Sequence, residues 1–182
     1  MWLQRGFFGV ALVLISYAGL MRADAYFFQQ RESHSFERLR QQPVAVPVAF
    51  ATAQGFIGRL EIKRLGLSVM VTEGDDQRTL RRAVGHVPGT SVPGQNGNIA
   101  LTGHRDTFFR PLRNIRPDDI VELSTLQGQY RYRVVSTLVV SPDDVSVLNR
   151  GQREILTLIT CHPFYFVGAA PNRFIVRAEK IQ

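Results

Sequence analysis

Cysteine is almost absent from this 182-residue chain: Cys161 stands alone, so no intrachain disulfide can form in any compartment. Lysine is nearly absent too, at Lys63 and Lys180 only, and the net charge of +7 comes from scattered arginines rather than basic runs. A basic surface attracts nucleic acid, lipid headgroups or wall polymer alike. With no recognition helix, RNA-binding signature or zinc-finger spacing, nucleic acid is set aside as a partner and a solvated basic surface is expected. Cys161, His104 and His162 lack paired-ligand spacing, so neither metal nor cofactor is expected. Only one long run is both uncharged and free of proline and amide side chains, which argues against a multi-spanning membrane protein, while 45% hydrophobic and 20% charged residues exclude a disordered one.

That run is residues 6–21 (GFFGVALVLISYAGLM), bounded by Arg5 and Arg22. As a helix it covers about 24 Å of a hydrocarbon core of about 30 Å, and Trp2, Leu3 and snorkelling arginines extend it. Ala23-Asp24-Ala25 has the small-x-small form of a signal-peptide cleavage site. Arg22 and Asp24 spoil it, which favours an uncleaved signal anchor. Either alternative exports the remainder. Arg22, Arg31, Arg38 and Arg40 outnumber Arg5, so the positive-inside rule lends this orientation no support. Residues 26–42 are polar, with Phe27, Phe28, Phe36 and Leu39 at imperfect helical spacing, and read as a stalk helix ended by Pro43 and Pro47. The expected organisation is an anchor over 1–25, a stalk and linker over 26–55, and one catalytic domain over 56–182.

From Gly58 the period changes to two. Leu60 and Ile62, then Leu65 to Val71, residues 98–102, 120–123, 130–140, 155–160 and 174–178 read as strands, with Gln127-Gly128 as a hairpin turn. Only 76–83, opened by Asp76 as an acidic cap, reads as a helix inside the domain. Seven or eight strands with few helices predict a mainly β protein built as a closed or nearly closed barrel.

Cys161 ends an apolar strand and is followed by His162-Pro163, so its side chain is rigidly placed beside a loop. An ordinary thiol, with a pKa of about 8.5, is only a few per cent thiolate at neutral pH, and a cysteine nucleophile therefore needs a base or cation nearby. Of the four histidines, His104 also follows a strand. His86 lies in a Gly/Pro-rich segment, His34 in the stalk, and His162 is on the opposite strand face from Cys161. Spacing alone favours His104 modestly.

Three segments carry a family resemblance: 98–109 (NIALTGHRDTFF), 156–161 (LTLITC, containing TLxTC) and 171–176 (PNRFIV). Together and in this order they resemble the His, Cys and Arg motifs of the sortases, most of all class D, over residues 58–181. The resemblance implies an eight-stranded sortase barrel with short helices, carried by an N-terminal transmembrane helix and stalk. It implies a cysteine transpeptidase that cuts an LPxTA- or LPxTG-like motif near the C-terminus of an exported protein and transfers the new carboxyl end to an amine, on a wall peptide or a protein lysine. Such an enzyme is a single-pass membrane protein with its catalytic domain outside the cytoplasm.

The family roles fall on Cys161 as nucleophile, His104 as acid/base and Arg173 as the cation that stabilises developing negative charge. Thr160 matches a position lining the substrate groove, and His86 is a second candidate for substrate binding. His162 departs from the aromatic residue expected after the cysteine. A papain-like triad with Asp106, Asn114 or Asn172 as orienter, a wall-acting cysteine peptidase, and a tethered barrel that only binds a polymer or protein remain as alternative readings.

Overall fold

The computed structural model describes residues 2–41, 55–166 and 168–181. Its first element, α1, runs unbroken over Trp2–Arg40, about 58 Å at 1.5 Å per residue. The expected anchor and stalk are thus one helix. No glycine follows Gly19 and no proline occurs in this span, so nothing local stops the helix at residue 25. The expected stop at Pro43 to Pro47 lies outside the described residues. Along the first half the large apolar side chains, Phe8, Leu12 and Ile15 among them, are exposed. This is the one helix among the described residues long and apolar enough to cross a membrane.

Eight strands follow: β1 (Phe56–Ile62), β2 (Leu67–Glu73), β3 (Val84–His86), β4 (Asn98–Thr102), β5 (Ile120–Ser124), β6 (Gln129–Val140), β7 (Ile155–His162) and β8 (Asn172–Ile181). They close into a barrel in the order β1-β2-β3-β4-β7-β8-β6-β5, as the strand periodicity predicts. The sheet is mixed, because β2 with β3 and β4 with β7 run parallel while the other neighbours run antiparallel. β3 is the element that periodicity misses. Three residues, Val84-Gly85-His86, are too few to show alternation, and they become a strand through pairing with Val71 to Glu73 on one side and with Leu101 and Thr102 on the other.

Alternation decides which side chains fill the barrel. Leu60 and Ile62, Ile99 and Leu101, Val121 and Leu123, Leu156 and Leu158, and Val176 and Ala178 are all buried in one core. Residues between them on the same strands face outward. Burying each such aliphatic side chain contributes roughly 1.5–3 kcal/mol. Gly58 permits a close crossing of β1 over β5, since a Cβ there would stand 2.2 Å from the Ser124 carbonyl oxygen.

One short helix, α2 (Gln77–Arg82), joins β2 to β3, and Asp76 caps it by accepting from the backbone of Arg78 and Thr79. The second half of α1 lies against this region. Asp24 pairs with Arg82 at 2.7 Å, the Gln29 side chain donates to Arg82 O and accepts from Met70 N, and Glu37 pairs with Arg59 at 2.8 Å. Phe36 is buried against Phe56 and Met70. Polar hydrogen bonds and an aromatic anchor thereby fix the helix to the barrel along one side.

Two buried polar groups tie loops to the barrel. Glu154 accepts from the Tyr132 hydroxyl at 2.6 Å and pairs with Lys180 at 2.6 Å; burial and the adjacent carboxylate push the Tyr132 phenol far above its usual range. Asp119 accepts from Arg64 and from Arg116 N, and Arg64 also donates to Asn114 O at 2.6 Å. The Arg64 hydrogen bonds hold the Asp119 carboxyl below its ordinary value against opposing desolvation. A depressed carboxylate contributes stability above its unfolded value, about 3.9, and that contribution is lost as pH falls through the folded value. Asp119→Asn is therefore expected to lower the melting temperature at neutral pH, with the gap to wild type closing as pH drops below about 4. A gap that persists unchanged in acid would refute the ionic role of this pair.

Candidate active site

Parallel pairing of β4 with β7 sets Thr102 opposite Ile159. Beyond the strand end the pairing continues for one more bond, from Gly103 N to Ile159 O at 3.1 Å. The Thr160 hydroxyl then donates to Gly103 O at 2.7 Å. The chain thus leaves β4 clamped to β7, and the next residue, His104, stands two positions past Thr102 as Cys161 stands two past its partner Ile159. A tight turn follows, in which His104 O accepts from both Thr107 N and Phe109 N. Phe109 is fully buried beneath it, and a Cβ on residue 103 would meet its ring at 3.0 Å. Glycine at 103 is what lets the turn sit that low.

On the other side, Cys161 is directly opposite Arg173 in the antiparallel β7–β8 ladder, a Cα separation of about 5 Å. Leu156, Leu158, Val176 and Ala178 point into the core, so by alternation Ile159, Cys161, Arg173 and Ile175 face outward together. Arg173 donates to Ala170 O and Asn172 O at 3.3 and 3.1 Å, which holds its guanidinium near the strand end. Cys161 is a free, half-buried thiol. The structure thus brings Cys161, His104 and Arg173 to the same end of three strands.

A groove of about 210 Å³ leads along this outer face, floored by Thr102, Ile159, Arg173 and Ile175 and walled by Val145 to Leu148. Asn98 is fully buried behind the wall: its amide donates to Val147 O at 2.8 Å and accepts from the Thr157 hydroxyl at 2.6 Å. Hence Asn98 fixes the wall to both parallel strands.

Two expected groove residues lie elsewhere. Thr160 is buried, its hydroxyl committed to Gly103 O, because it alternates with Cys161 and falls on the opposite face. It holds the His104 turn instead of lining the groove. His86 is also buried, with Nδ1 2.8 Å from Glu73 Oε2 and Nε2 2.9 Å from Ser91 O, so no ring nitrogen is left for a substrate. His162 stacks on Phe174 and meets Phe164 edge-on, filling an aromatic slot, with Nδ1 buried and without a hydrogen-bond partner.

Arg105 is the residue that sequence reasoning passes over. It is 6% exposed, and its guanidinium donates to Pro163 O, Phe166 O and Gly168 O at 2.8, 2.6 and 3.2 Å. It straps the loop that joins β7 to β8 onto the turn carrying His104. Position beside His104 in the motif is the only signal for it in the sequence, since an arginine in a loop ordinarily stays in water.

A closed mixed barrel thus carries a free cysteine, an arginine facing it across the ladder and, at the same end of the adjoining parallel strand, a histidine. The chain belongs to the sortase family: residues 60–181 match the sortase domain. It is 37% identical over 125 residues to Sortase D of Bacillus subtilis, covering 68% of this chain and 63% of that protein. To Sortase SrtE1 of Streptomyces coelicolor it is 33% identical over 155 residues, covering 75% and 43%. The chain thus spans about half to two thirds of the length of these relatives. In fold it is similar to a Clostridium perfringens Sortase D5 transpeptidase, with a TM-score of 0.71 at 22% identity over 88% of this chain and 99% of that one. Sortase C-1 from Actinomyces oris superposes with a TM-score of 0.65 at 27% identity, over 84% and 97%.

Removing the strap tests this description without reference to turnover. Arg105→Ala is expected to destabilise the chain by about 2 kcal/mol, the scale of hydrogen bonds to a charged group. It should also accelerate amide hydrogen exchange across 163–171, and Arg105→Lys should restore protection only in part, because one ammonium cannot reach three carbonyls. Unchanged exchange in Arg105→Ala would refute the strap.

Proposed function

We propose that the chain is a membrane-anchored cysteine transpeptidase. It cleaves an LPxTA- or LPxTG-like sorting motif in an exported protein and joins the new carboxyl end to an amine of a wall peptide or protein lysine. The observation that carries this reading is the cross-strand pair of Cys161 and Arg173, with Gly103, the residue before His104, bonded to the neighbouring strand at the same end. Residues 1–25 serve as the anchor, 26–55 as the stalk and 56–182 as the catalytic unit, with that unit on the extracytoplasmic side.

The motif lies along the groove, with its scissile carbonyl over Cys161. The thiolate sulfur bonds to the carbonyl carbon, and the π electron pair moves to the oxygen, where the Arg173 guanidinium stabilises it by charge-assisted hydrogen bonds. Collapse re-forms the carbonyl and breaks the C–N bond, while protonated His104 gives its proton to the departing amine. A thioester on Cys161 remains. The acceptor amine attacks that thioester, neutral His104 takes its proton, and Cys161 leaves as thiolate. Arg105, Thr160 and Gly103 act through this set by position, since none has a free polar group facing the groove.

Incubation with a labelled LPxTA or LPxTG peptide is expected to give a mass-resolved thioester on the wild type and none on Cys161→Ala. Arg173→Ala should lower kcat by about 10²–10³, as for loss of an oxyanion donor. His104→Gln should lower it by about 10²–10⁴ with adduct formation impaired. An adduct of equal yield on Cys161→Ala would overturn the assignment.

A further inference from the structure

A second cavity, of about 460 Å³, lies on the far side of His104 from the groove, and it involves the anchor helix itself. Met21, Arg22 and Tyr26 of α1 form one wall, His104 and Phe108 the other, and Arg81 of α2 stands at its edge. The uncharged run of α1 ends at Met21, so a hydrocarbon layer around residues 6–21 ends where this cavity begins. Arg22 and Arg81 form no salt bridge among the described residues, whereas neighbouring Arg82 is neutralised by Asp24 at 2.7 Å. The one carboxylate on the rim, Asp106, leans toward Arg105 at 3.5 Å. The cavity therefore offers apolar walls and two guanidinium groups outside any salt bridge among the described residues, Arg81 feeling the Asp24 carboxylate only through a longer-range attraction, at the depth of the lipid headgroups.

We propose that this cavity binds an anionic glycerophospholipid of the leaflet into which α1 inserts. Its phosphate lies between Arg22 and Arg81, its headgroup beside Tyr26 and Phe108, and the upper part of its acyl chains against Met21. Arginine suits this task because its planar fork matches phosphate and stays charged at any physiological pH. The lipid bridges α1, α2 and the turn that carries His104, so its binding holds the barrel at a fixed height with that turn toward the membrane. The proposal rests on the membrane placement of α1 given above, and its readout is lipid retention, which does not require peptide turnover.

The full chain, reconstituted in vesicles of phosphatidylcholine with a minor fraction of phosphatidylglycerol and then extracted, should retain phosphatidylglycerol in native mass spectra well above its bulk share. Arg81→Glu should reduce that enrichment by about fivefold or more, the contribution of one arginine at an anionic surface. Arg133→Glu, the same charge change at an exposed site on β6, should leave it unchanged. Retention of both lipids in bulk proportion by wild type, or an equal loss in Arg81→Glu and Arg133→Glu, would overturn the site. Failure of the chain to float with vesicles at all would instead overturn the anchor reading.

Discussion

Parallel pairing between β4 and β7 is the constraint on which the site depends. These strands are separated by more than fifty residues, yet they bring the segment before His104 and the segment before Cys161 into one register, Thr102 against Ile159. A slip by one residue would turn Cys161 into the core and Thr160 outward, since strand side chains alternate. Thr160 guards against that slip. Its hydroxyl donates to Gly103 O, so the residue beside Cys161 locks the register that turns Cys161 outward.

The same economy appears around the groove. Asn98, Thr157 and Val147 form a buried chain of hydrogen bonds that fixes the wall from behind, and Arg105 does the same for the loop joining β7 to β8. Buried polar groups are costly unless fully bonded. Here each is spent on a loop that borders the site. Loops are the least constrained parts of a barrel, and these are held where the reacting groups must keep their geometry.

The long N-terminal helix is part of this arrangement. Its second half packs on α2 and β2 through Asp24, Gln29, Phe36 and Glu37. The helix is consequently held in one orientation against the barrel, beside the His104 turn.

Much was legible in the sequence alone. Period-two alternation gave seven of the strands and the barrel, the acidic cap at Asp76 gave α2, and the apolar run over 6–21 gave a helix able to span a membrane. Three motifs gave Cys161, His104 and Arg173 as the residues to watch. What alternation and motif could not give was anything that depends on a partner far along the chain. β3 exists because β2 and β4 offer it edges on both sides. Thr160 and His86 looked available, yet both are buried, because the face a residue presents is set by the sheet it joins. Arg105 looked like a surface charge until three carbonyls of a distant loop closed around it. Local sequence determines which segments can be strands and which side chains carry chemistry; only tertiary pairing decides register, and register decides which of those side chains reach the outside.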